Sequence, residues 1–312
     1  MTIKQLDIVI VSYNTVEMTL RAIASVYEET KDTSFNLIVV DNNSHDGSAD
    51  AIEKQFPDVH LVRSLDNTGF AGGINIGSRV YSSEQLLFLN PDTVILDGAI
   101  DKLYAFAKEN TENGIWGGIT LNNDRSINTH NAWARPSTQT LLFSALGFSK
   151  IFKNSCFFNS GNYGCWQRDS IKTVDILQGC FFLTTRELWE TIGGFDETFF
   201  MYGEEGDYCL KAIAKGKQPL ITPDAKIIHH GGASEVNLSG KMIKLLKAKV
   251  ELVNRHSKPL ERPLHRGLLY IYVLNQLAAH HLLSLIKPQK KARLAEWQTI
   301  FKARHDWLKG WA

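Results

Sequence analysis

Between Asp7 and Leu89 one pattern recurs: a short β-branched run, then a segment with apolar residues at helical spacing. Asp7 to Tyr13 (DIVIVSY) reads as a strand and Thr15 to Tyr27 as a helix. Phe35 to Val40, Ser48 to Phe56, Val59 to Arg63, Ala71 to Tyr81 and Gln85 to Leu89 continue the alternation. Such a chain is constrained to a mostly parallel sheet, because parallel neighbours need crossover helices, and those helices cover both faces. The expected fold class is α/β. Ligands of such sheets collect beyond the carboxyl ends of the strands. In this chain the residues after the strands are Asn14, Asp41, Asp66 with Asn67, and Asn90 with Asp92. Helix capping explains any one of them; their accumulation points to a polar ligand.

Downstream the pattern loosens. Asn122 to Lys172 is rich in Asn, Ser, Trp and Phe with poor periodicity, which predicts a long loop or a small insertion. Asp175 to Thr184 reads as a strand, Arg186 to Ile192 as a helix stopped by Gly193-Gly194, and Glu204 to Lys215 as a helix opened by acids. Pro219 to Thr222 and Lys226 to His229 read as short strands. After Gly240 the chain turns into basic helical segments, Lys241 to His256, Leu264 to Ile286 and Lys290 to Lys309. The expected organisation is a domain over residues 1–240, with halves 1–121 and 122–240, and a helical appendage over 241–312.

Charge follows the same boundary. The formal net charge is +1, yet Lys241 to Ala312 carries 15 Lys and Arg against 4 Asp and Glu, and the first 240 residues hold 19 against 29. The tail is therefore +11 and the rest −10, so the two parts should meet different partners. Cys156, Cys165, Cys180 and Cys209 show no CxxC spacing, which predicts neither a disulfide framework nor a zinc site and fits a reducing cytosol. The segment before Asp7 lacks the basic region and long apolar stretch of a signal peptide, so the expected location is cytoplasmic.

Six strings carry chemistry: IVIVSYNT, VVDNNSHDGS, NTGFAGGINIG, LFLNPDT, and the later QGCFFLTTRELWETIGGFDETFFMYGEEGDYCLKA and IIHHGGAS. Their order and spacing over roughly Asp7 to Ser234 resemble glycosyltransferase family 2, and the later strings are similar to those of its bacterial rhamnosyltransferase-like members. The resemblance implies a GT-A type nucleotide-binding fold, a nucleotide-sugar donor and an inverting transfer to a hydroxyl of a glycan or polyprenyl-linked glycan acceptor. It places nucleotide contacts at Ser12, Tyr13, Asn14, Asp41, Asn67, Gly69, Phe70, Asn75 and Asn90.

The residue types suit that ligand. A nucleotide sugar needs partners for a base edge and ribose hydroxyls, which Asp41 can supply, and compensation for a diphosphate. The glycine-dense Asn67 to Gly73 run allows close backbone approach at a helix N-terminus, although it lacks the G-x-G-x-x-G spacing of a dinucleotide site. Asn90-Pro91-Asp92 stands where the family carries Asp-x-Asp, and only the second acid is present. A divalent cation, Mg²⁺ or Mn²⁺, can be held by one carboxylate with phosphate oxygens and water, so Asp92 suffices in principle. The resemblance makes a histidine of IIHHGGAS, His229 in preference to His230, its second ligand. Glu204, Glu205 and Asp207 open a helix. The bland reading is a dipole-stabilised first turn; the sharper one is a base for the acceptor hydroxyl, aligned with Glu205 and with Glu204 as its rival.

In the tail, Gly267 to Ile286 contains no Asp, Glu, Lys or Arg, but Asn275, Gln276, His280, His281 and Ser284 argue against a spanning helix. With Lys287, Lys290, Lys291 and Arg293 beside it, this stretch suits peripheral contact with an anionic membrane surface, on the inner face of the cytoplasmic membrane; internal packing or homo-oligomer contacts are the alternatives. No nucleic-acid module is present. Two other functions compete: a sugar nucleotidyltransferase, which would need a basic glycine-rich loop where Ser12-Tyr13-Asn14-Thr15 stands, and a silent nucleotide-sugar-binding module, which would not need Asp92, Glu205 and His229.

Overall fold

The computed structural model of the 312-residue chain describes residues 4–231 and 237–311. It forms two compact units: Met1–Ala132 with Arg168–Ser234, and Trp133–Gln167 with Glu235–Ala312. The strands are β1 (Leu6–Ser12), β2 (Phe35–Asp41), β3 (His60–Arg63), β4 (Gln85–Leu89), β5 (Thr93–Ile95), β6 (Ile115–Leu121), β7 (Ala132–Trp133), β8 (Lys172–Thr173), β9 (Ile176–Leu177), β10 (Phe181–Thr185) and β11 (Leu220–His229).

The first unit is built on one sheet in the order β3-β2-β1-β4-β10-β6-β11-β5, with β8 pairing β11. β1 is parallel to β2 and β4, β2 to β3, and β6 to β11, whereas β10 runs antiparallel to both β4 and β6. The central strands are buried on both faces, which is why β1, β2 and β4 read as continuous apolar runs. Helices α1 (Val16–Glu29), α2 (Ser48–Gln55), α3 (Gly69–Gly77), α4 (Ala99–Glu109), α7 (Arg186–Ile192) and α8 (Glu204–Ala214) cover it. Ile8, Ile10, Leu37, Val39, Leu87 and Leu89 pack with Ile23, Val26, Ile52 and Leu103 on one face. Alternate residues of the same strands face the other way, where Phe88 and Phe182 meet an aromatic cluster of Trp189, Phe195 and Tyr208. α3 lies close on the sheet because Gly73 and Gly77 have no side chain: a Cβ at Gly73 would sit 2.7 Å from Val11 Cγ1.

The second unit contains α5 (Thr138–Ala145), α6 (Phe148–Ile151), α9 (Leu238–His256), α10 (Arg262–Ile286), α11 (Lys291–Lys302) and α12 (Arg304–Trp307). Leu246, Val250, Val253, Leu269, Val273, Trp297, Ile300 and Trp307 form its core. His265 is buried between the hydroxyls of Thr138 (3.0 Å) and Ser257 (2.9 Å), and Asn275 donates to the Ala145 carbonyl at 2.7 Å.

Several expectations change. Residues 133–167 are not a loop of the first domain: they form α5 and α6 and pack with the C-terminal helices through contacts more than a hundred residues apart, which no local pattern reveals. Cys156 and Cys165 form a disulfide, contrary to the reading of the cysteine spacing, because the aromatic turn between them brings their Cα atoms to 4.9 Å. The expected strand from Asp175 to Thr184 is broken at Gln178–Cys180 into β9 and β10. Pro219 to Thr222 and Lys226 to His229 belong to one strand, β11, whose register slips between Ile221 and Lys226 around Pro223. The segment from Lys290 to Lys309 divides at Ala303 into α11 and α12, and α3 starts at Gly69.

One buried ion pair fixes the first unit's start. Asp7, 1% exposed, accepts from Arg186 at 2.8 Å and from Ser83 and Asn36, while Arg186 also donates to the Ser78 and Ser83 carbonyls. Arg186→Met leaves that carboxylate buried without its charge partner. A loss of about 3–5 kcal/mol in unfolding free energy is expected, measured as a lowered urea midpoint at unchanged slope.

Candidate active site

The register sets the site. Ser12 lies beside Asp41 and Ile10 beside Leu89, so β1, β2 and β4 end together. Because β10 is antiparallel, its leading residues Gly179 and Cys180 arrive at that edge, where the Asn90 N–H donates to the Cys180 carbonyl at 3.3 Å.

Ser12 itself turns away from it. Its hydroxyl is buried against Thr19 (2.9 Å) and Thr15, holding the start of α1. Tyr13 is 37% exposed. Asn14, with φ +52, fastens two turns: its N–H donates to Ser44 Oγ and its Oδ1 accepts from the His45 N–H. Asp46, missed in the sequence, completes this link by accepting from the N–H groups of Val16 and Ser48.

Asp41 is 4% exposed; Oδ2 accepts from the Ser44 N–H at 3.1 Å, while Oδ1 is buried with no hydrogen-bond partner. A buried acceptor left unmatched is costly, so Asp41 has a vacant acceptor suited to an external donor such as a base imide or ribose hydroxyl. The neighbouring Asn42, which sequence reasoning quoted but did not single out, is the true organiser of the glycine run. Its amide donates to Asn67 Oδ1 and the Gly69 carbonyl and accepts from the Thr68 N–H and hydroxyl. Gly69 has φ +74, and a Cβ there would strike the Phe200 carbonyl, to which the Phe70 N–H donates at 3.2 Å. The glycines after it lie inside α3 and serve helix–sheet packing as much as ligand approach. Asn75 is spent structurally: its amide binds the Phe195 N–H and carbonyl and Glu197 Oε1.

Asp92 and His229 meet across β5 and β11, which pair Thr93 with His229. His229 Nε2 is 3.2 Å from Asp92 Oδ1 and 3.3 Å from Asn90 Nδ2, and both side chains are buried. Burial alone would raise the Asp92 carboxyl, but the hydrogen bond and charge of His229 and backbone N–H groups hold it below its usual range. Burial opposes a charged imidazole at His229, while the adjacent Cys180 sulfur and Asp92 push it up to about 11. His230 turns instead to Asn123 at 2.6 Å. Gly232, Ala233 and Ser234 of IIHHGGAS lie outside the described residues. No cluster of three or more His, Cys, Asp and Glu suited to a metal occurs among the described residues.

Glu204 and Glu205 open α8 after Tyr202 and Gly203, both at positive φ. Gly179 stands between Phe70 and Glu205: a Cβ there would lie 3.4 Å from the Phe70 ring and 3.7 Å from Glu205 Cβ. Glu205 accepts from the Gly203 N–H at 3.1 Å, and Glu204 keeps one buried oxygen without a partner. Burial pushes the Glu204 carboxyl well up and the Glu205 charge pushes it further; burial raises Glu205 too, against backbone N–H groups that favour its ionised form. Asp207 is ion-paired with Lys211 at 2.6 Å and serves to hold the helix.

Comparison with known proteins bears on family and fold. A hexosyltransferase of low-salt glycan biosynthesis from Haloferax volcanii is 28% identical over 212 residues, 66% of this chain and 61% of that protein. An N-acetylglucosaminyl-diphospho-decaprenol L-rhamnosyltransferase from Mycobacterium tuberculosis is 23% identical over 240 residues, covering 72% and 76%; a dTDP-rhamnosyl transferase from Shigella flexneri is 27% identical, covering 74% and 71%. In fold, the chain is similar to a mannosyltransferase from Pyrobaculum calidifontis solved with GDP-Man and Mn²⁺, with a TM-score of 0.59 at 16% identity, over 98% of this chain and 88% of that one. The model of the family named glycosyl transferase family 2 matches residues 7–191, more than half of the chain. On that match, and on a sheet whose edge gathers Asp41, Asp92, His229 and the Glu204–Glu205 pair, this chain belongs to glycosyl transferase family 2 and has the GT-A fold.

Proposed function

We infer that the chain transfers a sugar, with inversion, from a nucleoside-diphosphate sugar to a hydroxyl of a glycan or polyprenyl-linked glycan acceptor in cell-surface polysaccharide synthesis. The observation that carries the reading is the convergence of carboxylates far apart in sequence on one sheet edge, two of which, Asp41 and Glu204, keep a buried oxygen without an internal partner. The rhamnosyltransferases among the relatives favour dTDP-rhamnose as donor, with UDP-sugars as the alternative. A silent binding module has no use for two buried glutamates held above their usual range, and a nucleotidyltransferase lacks its basic loop after β1.

In this reading Asp41 receives the base or ribose, and Asn42 with Asn67 sets the backbone of residues 67–70 against the nucleotide. Asp92 and His229 would hold a divalent cation. The Asp92 carboxylate and, once its proton is given up, the His229 imidazole are an oxygen and a nitrogen donor 3.2 Å apart that would suit such an ion together with phosphate oxygens and water. Such an ion would offset the diphosphate charge and aid its departure. Glu205 accepts the acceptor's hydroxyl proton as the oxygen bonds to the anomeric carbon; the bond from that carbon to the phosphate oxygen breaks, and its electron pair leaves on the nucleoside diphosphate. Burial that raises a carboxyl towards neutrality makes it a stronger base.

Asp92→Ala should remove metal-dependent binding of nucleoside diphosphate with the fold intact. Calorimetry with and without Mn²⁺ decides this, and unchanged affinity and metal dependence would remove the cation from this pair. Glu205→Gln should bind donor nearly as wild type while turnover falls by about 10² to 10⁴, the contribution of a positioned base. Near-normal turnover would transfer the role to Glu204, and the anomeric configuration of the product, read by NMR, tests inversion separately.

The buried pair also makes stability depend on pH. Groups whose carboxyls are raised on folding stabilise the folded state below the ordinary glutamate range, and that contribution is lost as pH rises through their folded values. Glu204→Gln lacks one of these charges. It should melt above wild type at pH 8, by roughly 2–4 °C per kcal/mol relieved, with the difference closing towards pH 4.

A further inference from the structure

The second unit leaves one helix face in an unusual state. α10 buries Leu268, Leu269 and Val273 against its neighbours, as a surface helix should, but its carboxyl-terminal end exposes apolar side chains as well. In its last turn Leu282, Leu283, Leu285 and Ile286 are 61%, 41%, 69% and 76% exposed, whereas further back on the same side Leu268 and Asn275 are packed against neighbours. Ile151, 70% exposed at the end of α6, adds to the apolar surface of this unit. A cluster of exposed apolar side chains at one end of a helix signals an occupant.

Charge identifies that occupant. Lys287, Lys290 and Lys291 follow directly where the cluster ends. Burial and the charges of Lys150, Arg293 and Lys290 push the His280 imidazole down, against the opposing charge of Glu296. Arg293 shares its charge with Glu296. The second unit as a whole carries 18 Lys and Arg against 5 Asp and Glu, a net +13, so a second copy laid symmetrically on this face would bring like charge against like. An anionic surface with an apolar interior meets both features at once.

We propose that the carboxyl-terminal half of α10, with the cationic turn after it, is a seat for an anionic lipid bilayer, in which the helix lies along the interface with Leu282, Leu285 and Ile286 inserted below the headgroups. The helix is long and apolar enough to cross a membrane by length and composition, with a mean hydropathy of 1.3 over its best window. Its inner face, however, is committed to the helical core, and Asn275 is tied to α5. Lying along the surface keeps both commitments. The inference is independent of the transfer chemistry and concerns the second unit alone.

The test is flotation of the full chain with vesicles of neutral lipid alone or with 30% phosphatidylglycerol. Wild type is expected to float with anionic vesicles at low salt, to release as salt is raised, and to bind neutral vesicles weakly. Lys287→Gln, Lys290→Gln and Lys291→Gln together should weaken partitioning by about fivefold for each charge removed. Leu282→Gln, Leu285→Gln and Ile286→Gln, all in the exposed cluster, should weaken it at least about tenfold at every salt concentration, with melting temperature and turnover on a water-soluble acceptor unchanged. Equal recovery of wild type and both variants from anionic and neutral vesicles would overturn the proposal. So would a concentration-dependent dimer, seen by sedimentation velocity in wild type and lost in the apolar variant without any lipid binding, which would make the cluster a contact between copies.

Discussion

One reversed strand in the middle of the sheet organises the first unit. β10 enters between β4 and β6 and runs against both, and this one antiparallel insertion joins the two sections of the sheet. Had it run parallel, its leading residues would lie at the opposite edge, and Gly179 and Cys180 would be a strand's length from Asn90. Because it is reversed, the chain reaches the edge where β1, β2 and β4 finish, and Gly179 fits between Phe70 and Glu205. The aromatic residues behind it, Phe182 against Phe88, Phe195 and Tyr208, then fix where α7 and α8 rest.

The site placed by this insertion is electrically unusual. Asp92 faces an imidazole that favours its ionised form, while Glu204 and Glu205 meet no cation among the described residues and are held towards the neutral form by burial. Carboxylates of one chemical type are thus set apart in basicity by surroundings alone. Asp207, in the same turn as the glutamates, is neutralised by Lys211 and belongs to the scaffold.

Much of this was legible in the sequence, and the reasons are specific. Strands buried on both faces leave a continuous apolar signature, so β1, β2 and β4 and the edge they define could be read directly, and Asp41 and Asp92 were singled out from their places after those strands. Pairings across the sheet leave no such trace. Nothing local in Asp7 announces Arg186, nothing in Asn42 distinguishes an organiser of the glycine run from a turn residue, and Asn75 looks like a ligand contact until Phe195 is seen to occupy it. The break of the strand before Cys180, the single β11 and the transfer of residues 133–167 to the helical unit likewise depend on partners far along the chain. The disulfide was missed because spacing rules describe frameworks and metal sites, not one bridge closing one turn.

The hydrogen bond from Phe70 to the Phe200 carbonyl, with Gly69 pressed against the same carbonyl, ties the turn before α3 to the turn before α8. Asn75 repeats the tie one turn further along by holding Phe195. Opening either turn therefore breaks hydrogen bonds that hold the other. A molecule that stills the first has already met the entropic cost of stilling the second, so whatever binds next at the second turn finds it ordered in advance. The link consists of one backbone hydrogen bond, the two-way grip of the Asn75 amide on Phe195, and one glycine.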